Sequence, residues 1–172
     1  MRLWGIKYLS ILSLSTSTLG LIDSEVDPRE PGPCPEHWVD GTLAGLGCLL
    51  FNSTEFYTWQ QANVYCQKEE NATLLEIWTS LQSDFISNEL MLLEDHESPR
   101  NWWTGGTDIG REGEWYWVSS GASVGDFVWA SYNNEPNGNT NYNCMILSPS
   151  PWEYKGNDIY CTNGHFPICQ KK

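Results

Sequence analysis

Basic residues are scarce in this 172-residue sequence, which has nine Lys and Arg against 22 Asp and Glu and a formal net charge of −13. Proteins bind nucleic acids and anionic membrane surfaces largely through Lys and Arg. The sequence therefore predicts no nucleic-acid partner and no basic membrane-binding face. Its acidic balance fits a soluble extracellular protein and is compatible with calcium binding.

Several functional motifs are also missing. The sequence has neither His-Glu-x-x-His nor a P-loop, and we expect no enzyme. It has no Cys-x-x-Cys pair, and its three histidines lie far apart, which disfavours a zinc site. It contains no internal repeat, coiled coil or collagen repeat that would build an oligomer.

One apolar run is present near the N-terminus. Residues 8–19 are moderately apolar and follow a positively charged start, which is the pattern of a secretory signal peptide. We therefore expect a signal peptide over 1–20, with an uncleaved anchor as the alternative. A disordered acidic lead-in over 21–33 and one folded domain over 34–172 should follow. These expectations predict a secreted, extracellular protein without membrane insertion.

The cysteines and two glycosylation sequons fit that compartment. An even number of cysteines in a secreted chain indicates disulfides, and spacing alone leaves their pairing open. The six are Cys34, Cys48, Cys66, Cys144, Cys161 and Cys169. Asn52-Ser53-Thr54 and Asn71-Ala72-Thr73 predict N-glycosylation at Asn52 and Asn71.

Two helices are predicted from apolar residues at helical spacing. The first covers about 58–69, with Thr58 as its N-cap, and the second about 80–93, with Ser80 as its N-cap.

The second half of the chain has short aromatic and β-branched runs separated by Gly, Asn and Ser. These runs predict strands near 101–104, 114–118, 144–147 and 166–169. Helices followed by strands indicate an α+β domain. We expect five tryptophans to lie in its core: Trp102, Trp103, Trp115, Trp117 and Trp129.

Two short motifs offer oxygen ligands for a metal ion. Glu135-Pro136-Asn137 lies in the long polar segment 131–143, and Asn157-Asp158 follows later; Cys144 and Cys161 come after the first and second motif. Carboxylate and amide oxygens suit Ca²⁺ better than Zn²⁺ or Cu²⁺. If the two cysteines are joined, the motifs lie close together and form a calcium site.

The order of motifs along the chain resembles the long form of the C-type lectin-like domain. The resembling segments are Cys34-Pro-Glu-His-Trp38, Trp59-Gln-Gln-Ala-Asn-Val-Tyr-Cys66, Trp103-Thr-Gly-Gly106, Glu135-Pro136-Asn137 and Asn157-Asp158. The resemblance covers residues 34–172. It implies an α+β fold with two helices, short antiparallel strands, a long ligand-binding loop region and three disulfides. The implied disulfides are Cys34–Cys48, Cys66–Cys169 and Cys144–Cys161.

The resemblance also implies a function for the two motifs. Glu135, Asn137, Asn157 and Asp158 would coordinate Ca²⁺, with a cis peptide before Pro136, and two adjacent sugar hydroxyls would complete the coordination. The Glu-Pro-Asn order resembles the mannose-type arrangement, which favours mannose, N-acetylglucosamine and fucose.

Tyr142 departs from the family pattern. It stands where the family usually has a glutamate, which leaves two carboxylates, Glu135 and Asp158, at the site. Calcium affinity should fall because it depends on ligand charge. Asn141, Asn143 or water could take the place of the glutamate, or Tyr142 could stack on a sugar.

The remaining expectations concern the surroundings of the site. Asp108 and Glu112 match part of an auxiliary calcium site, with a solvated loop as the favoured alternative. Tyr132 and Tyr154 are candidates for sugar contact. The leading function is a secreted calcium-dependent lectin that binds microbial or host glycans, with oligomers for avidity. The alternative is a calcium-independent lectin-like module that binds a protein.

Overall fold

A computed structural model describes residues 34–68, 71–93 and 99–172. The expected signal peptide and lead-in lie outside these residues, as does the predicted end of the first helix at residue 69.

Helix α1 spans Trp59–Lys68, close to its predicted range. It begins with a reciprocal cap, because the Gln61 N–H donates to Thr58 Oγ1 at 3.3 Å and the Thr58 N–H donates to Gln61 Oε1 at 3.0 Å. The predicted Thr58 cap is confirmed.

Helix α2 spans Ser80–Leu93, as predicted. Its cap was wrongly assigned to Ser80, which is the first helical residue. Thr79 caps the helix instead: its Oγ1 accepts the Gln82 N–H at 3.2 Å and its carbonyl accepts the Ser83 N–H at 3.1 Å.

Eight strands form the sheet structure beside these helices. They are β1 (Val39–Asp40), β2 (Cys48–Phe51), β3 (Thr73–Leu74), β4 (Trp102–Thr107), β5 (Tyr116–Trp117), β6 (Cys144–Pro149), β7 (Tyr154–Ile159) and β8 (Phe166–Lys171). Their order is β1-β2-β8-β4-β6-β7, with β3 paired to β8 and β5 to β4. The pairing of β4 with β8 is parallel and the others are antiparallel. The four predicted strands correspond to β4, β5, β6 and β8.

Strand β7 was not predicted, although it carries Asn157 and Asp158. Its sequence Tyr-Lys-Gly-Asn-Asp-Ile is rich in residues that disfavour strands. It forms because it pairs with β6 along its full length, from Cys144 opposite Ile159 to Pro149 opposite Tyr154. The β6–β7 hairpin therefore brings the second motif to the end of β7 nearest Cys144.

Tryptophans fill the core on both sides of the sheet, as predicted. All five expected core tryptophans are at most 8% exposed. Buried indole N–H groups need acceptors, and the Trp59 indole donates to the Thr104 carbonyl at 2.8 Å and the Trp103 indole to the Tyr57 carbonyl at 2.7 Å. The first bond fixes α1 against β4, and the second fixes the segment just before α1.

All three disulfides that the resemblance implies are present: Cys34–Cys48, Cys66–Cys169 and Cys144–Cys161. Cys66–Cys169 joins α1 to β8 inside the core, and Cys144–Cys161 closes the base of the β6–β7 hairpin. The second bridge therefore holds the polar loop before Cys144 beside the end of β7.

Candidate functional site

The Glu135-Pro136-Asn137 motif lies in a loop against β7. The peptide bond before Pro136 is cis, as the resemblance implies. Asn134, in a left-handed conformation with φ 57°, ends the short 3₁₀ helix Ser131–Asn133 and turns the chain into the motif. The Asn137 Nδ2 donates to Glu135 Oε1 at 2.9 Å. The two side chains that flank Pro136 therefore lie on the same side of the loop.

Asp158 holds this loop from the neighbouring strand. Its Oδ1 accepts the Asn137 N–H at 3.2 Å, and its Oδ2 accepts the Gly138 N–H at 2.8 Å. The Asp158 residue is only 6% exposed. Because both of its oxygens accept backbone N–H groups, Asp158 positions the peptide that follows Pro136 as well as offering a carboxylate.

The carboxylates of Glu135 and Asp158 are neighbours without a compensating cation among the described residues. Burial, followed by a hydrogen bond with Asp158 and the charge of Asp158, raises the pKa of Glu135 to about 7. Asp158 is buried and Glu135 half-buried, and two such neighbouring carboxylates are costly unless a proton or a cation reduces their charge. The pair is therefore a position where a divalent cation would be stabilised.

Asn157 is less closely joined to the other predicted ligands. On β7, alternate residues face opposite sides, so Asp158 shares a side with buried Tyr154 and Gly156, and half-buried Asn157 faces the other side. Within the described part of the chain, no hydrogen bond engages the Asn157 side chain. The structure therefore joins Glu135, Asn137 and Asp158 directly and places Asn157 next to them along the strand.

The donor set fits a hard cation better than zinc. No cluster of three or more His, Cys, Asp or Glu side chains that could hold a metal occurs in residues 34–68, 71–93 and 99–172. The residues that the structure brings together offer two carboxylates, from Glu135 and Asp158, with an amide oxygen from Asn137. Oxygen-only sets of this kind suit Ca²⁺.

Tyr142 occupies the position of the missing acid, and its ring packs at a tilt against Tyr160. Their ring centroids lie 4.3 Å apart, with 35° between the planes. The pKa of the Tyr142 phenol is raised, first by a hydrogen bond with Tyr160 and then by the charge of Tyr160. The phenol therefore stays neutral at neutral pH and does not replace the carboxylate. Tyr160 was not singled out from the sequence, because it lies just outside the Asn157-Asp158 motif.

The two residues expected at the auxiliary site differ in exposure. Asp108 is 2% exposed and its Oδ2 accepts the Gly113 N–H at 2.8 Å, whereas Glu112 is exposed. Burial raises the pKa of Asp108, and in the described residues its Oδ1 has no hydrogen-bond partner. Asp108 thus has one buried oxygen free for a cation, and an auxiliary site with Glu112 stays a prediction.

The two tyrosines expected to touch a sugar have different positions. Tyr132 is 52% exposed, and the charge of Glu135 is one cause, after burial, of the raised pKa of its phenol. Tyr154 is only 4% exposed and packs in the core. The expectation for Tyr154 was wrong, because β7 directs its side chain inward.

Gly138 allows the close approach of the loop to Asp158. A Cβ at this position would lie 2.3 Å from Asp158 Oδ2 and 2.4 Å from Tyr142 Cβ. We expect Gly138→Ala to displace the loop and lower cation affinity by roughly tenfold, as measured by calorimetric calcium titration. Gly110→Ala is the control, because its Cβ would come no closer than 3.6 Å to the Tyr116 side chain. Equal calcium affinity in both variants would contradict the role of this contact.

Comparison with known proteins identifies the family. Residues 55–171 match the family model described as the Lectin C-type domain. Among curated proteins, human C-type lectin domain family 17, member A is 29% identical over 140 residues, 81% of this chain and 32% of that protein. Human CD209 antigen is 28% identical over 139 residues, 81% of this chain and 31% of that protein. The chain spans about a third of the length of these relatives.

Solved structures share the fold. The carbohydrate-recognition domain of the human scavenger receptor C-type lectin has a TM-score of 0.64 and 26% identity, covering 81% of this chain and 98% of that one. The lectin domain of murine dendritic cell inhibitory receptor 2, solved in complex with an N-glycan, has a TM-score of 0.66 and 21% identity, covering 81% and 98%. At that identity the second likeness shows the fold alone.

The chain belongs to the C-type lectin domain family. Domains of this family are non-enzymatic, which confirms the expectation that the chain is not an enzyme. Residues Gly121 to Gly125 match the pattern Gly-x-Ser-x-Gly, which in α/β-hydrolases surrounds the nucleophilic serine. That serine requires a strand followed directly by a helix. Here Ser123 forms an isolated bridge with Tyr116 instead.

Within the described residues, neither α1 nor α2 has the length and apolar composition needed to cross a membrane.

Proposed function

We propose that the protein is a calcium-dependent carbohydrate-binding lectin. The observation that supports this best is the contact of Asp158 with the Glu135-Pro136-Asn137 loop, where two carboxylates and an amide converge beside a cis proline. The family generally binds calcium, and the motif residues stand at the positions that the resemblance assigns to the ion.

The proposed ligands are Glu135, Asn137, Asn157 and Asp158. Calcium takes about six to eight oxygens, so one oxygen from each of these four side chains leaves roughly two to four coordination positions. Two adjacent sugar hydroxyls would fill two of them, donate hydrogen bonds to the carboxylates and accept hydrogen bonds from the amides. The ion supplies the charge that attracts the hydroxyl oxygens, and the protein side chains orient them. The Glu-Pro-Asn order favours mannose, N-acetylglucosamine and fucose.

Retention on a mannose resin tests the proposal. We expect the protein to bind the resin in Ca²⁺ and to elute when a chelator is added. Retention that persists after the chelator is added would contradict the proposal, and so would a lack of retention on mannose, N-acetylglucosamine and fucose resins. Either result would favour the protein-binding alternative.

Restoring the acid at position 142 should tighten calcium binding. A Cβ on Gly138 would contact both Tyr142 Cβ and Asp158 Oδ2, so these two atoms lie close to each other. The side chain of a glutamate at position 142 would therefore begin next to the proposed calcium site. We expect Tyr142→Glu to raise calcium affinity by about tenfold, because a third carboxylate adds charge to the ligand set. Tyr142→Gln has nearly the same shape without the charge and is the matched control. An equal gain in both variants would show that charge is not the cause.

We further propose that the protein is secreted and acts at an extracellular surface, where a weak single site gains avidity through oligomers or clustered glycans.

Glycosylation is expected at Asn71 and not at Asn52. Asn52 is 9% exposed, and its Oδ1 accepts the Thr54 N–H at 2.9 Å and the Thr54 hydroxyl at 2.6 Å. Asn71 is exposed and has a left-handed conformation with φ 60°. After expression in a secretory host, Asn71→Gln should remove a glycan detected by mass spectrometry, and Asn52→Gln should remove none. The reverse pattern would contradict this assignment.

A further inference from the structure

Helix α1 has one face that packs into the domain and one that does not. Its buried side chains are Trp59, Ala62 and Cys66. At 3.6 residues per turn, the opposite face carries Gln60, Gln61, Val64, Tyr65 and Lys68. Together with residues 55–58, which precede the helix, this face lines an open groove of about 690 Å³. We call it the α1 groove.

Exposed apolar side chains line the α1 groove. Phe56 is 69% exposed and Val64 is 40% exposed. The Phe56 ring stacks on buried Phe166, with the ring centroids 4.4 Å apart, and Tyr57 packs at a tilt against Tyr65 at 5.1 Å. These contacts order the aromatic side chains in the free protein, so covering them would cost little further side-chain entropy. Exposed apolar groups rimmed by polar residues are typical of protein–protein contacts.

One acid and one base also line the α1 groove, and they do not pair with each other. Glu55 and Lys68 are both exposed. In residues 34–68, 71–93 and 99–172, no ion pair engages either side chain. Lys68 is one of only nine Lys and Arg in the chain. The groove therefore carries both partners of an ion pair that a single chain does not form, which makes it complementary in charge to a second copy of itself.

We propose that the α1 groove is the interface of a two-fold dimer of this chain. In a two-fold interface each contact occurs twice, so Glu55 of each copy meets Lys68 of the other. Phe56 and Val64 of both copies are covered in the same contact, which removes their apolar surface from water. The net negative charge of the chain opposes association at long range, but physiological salt screens charges that are more than about 8 Å apart.

The dimer would give the proposed lectin two sugar sites at a fixed spacing. The Trp59 N–H at the start of α1 donates to the Cys161 carbonyl at 3.0 Å. Cys161 lies three residues after Asp158, so the beginning of the interface helix is tied to the strand that carries a proposed calcium ligand. Two linked sites would raise the avidity for clustered glycans. This consequence rests on the proposed function, whereas the interface does not.

Reversal of the two charges tests the interface. Sedimentation velocity over a range of concentrations should show a monomer–dimer equilibrium for the wild-type chain. Glu55→Lys and Lys68→Glu each place like charges at both contacts and should weaken the dimer by about tenfold or more. An equimolar mixture of the two variants should dimerise again, because each chain then offers the opposite charges to the other. The double variant Glu55→Lys/Lys68→Glu should dimerise for the same reason.

Two further variants separate the groove from the rest of the surface. Phe56→Ala should raise the dissociation constant of the dimer by about tenfold, because it removes an aromatic side chain from the contact. Asp84→Lys makes the same change of charge as Glu55→Lys at an exposed position on α2 and should dimerise like the wild type. Chains made in a secretory host should dimerise as well, because Asn71, the expected glycan site, does not line the groove.

The outcomes that contradict the dimer differ from those that contradict the lectin. A wild-type chain that stays monomeric overturns the dimer and leaves the groove to a different protein partner. A mixture of Glu55→Lys and Lys68→Glu that stays monomeric overturns the pairing of these residues. Both results leave the lectin proposal standing. Failure to bind mannose resin in Ca²⁺ contradicts the lectin proposal alone, because none of the proposed calcium ligands lines the groove.

Discussion

Asp158→Asn should lower calcium affinity by about a hundredfold or more, because the proposed site would keep one of the two carboxylates that would balance the charge of Ca²⁺. The substitution preserves size but replaces one acceptor oxygen with an NH₂ group. That group would face a backbone N–H of Asn137 or Gly138, which now donate to the carboxylate. The substitution would therefore weaken the hydrogen bonding of the loop to residue 158 as well as calcium binding. Calorimetric calcium titration and the calcium-induced rise in Tm measure both effects.

Asp84→Asn removes the same charge at an exposed position on helix α2 and should bind calcium like the wild type. If Asp158→Asn bound calcium as tightly as Asp84→Asn, the proposed ligand set would be wrong. Sugar binding should disappear in Asp158→Asn at calcium concentrations that saturate the wild type.

Removal of the Cys66–Cys169 disulfide should produce the largest loss of stability. The bridge joins residues separated by 103 positions, and in the chain-entropy model such a loop stabilises the native state by roughly 4–5 kcal/mol. Both cysteines are fully buried. The double variant Cys66→Ala/Cys169→Ala leaves no buried thiol, and its free energy of unfolding is measured by urea denaturation.

The Cys34–Cys48 bridge provides the comparison, since it spans only 14 positions at the domain edge. Its removal should cost about 3 kcal/mol in the same model. A larger loss for the short loop than for the long one would show that native packing, rather than loop length, determines the contribution of these bridges. The m-values of both variants should be compared, because residual structure in the unfolded chain alters them.

The parts of the fold that the sequence predicted depend on local signals. Helix α2 has apolar residues at helical spacing over its whole length, and its range was predicted correctly. Strand β7 lacked such a signal. Gly156, Asn157 and Asp158 disfavour a strand on their own, and only the pairing with β6 makes one. The cap of α2 was misassigned because Thr79 and Ser80 are adjacent and either side chain can serve.

The site was predictable as a set of residue types but not as a set of contacts. Glu135, Asn137 and Asp158 were identified from their order and from the resemblance. The backbone N–H groups of Asn137 and Gly138 donate to Asp158, about twenty residues away in sequence. Sequence spacing does not predict such contacts. Tyr160 was missed for the same reason, since only the folded hairpin shows that it meets Tyr142.

The two ends of the folded domain meet at one residue. Cys48 is bonded to Cys34 near the start of the domain and lies opposite Lys171 of β8 near its finish. An added segment at either end therefore leaves the domain from the same small area. A tether on a surface, fused to one end or to the other, should present the loop of the proposed glycan site in similar orientations. The ends could also be linked directly, with new termini opened at the exposed turn around Trp152.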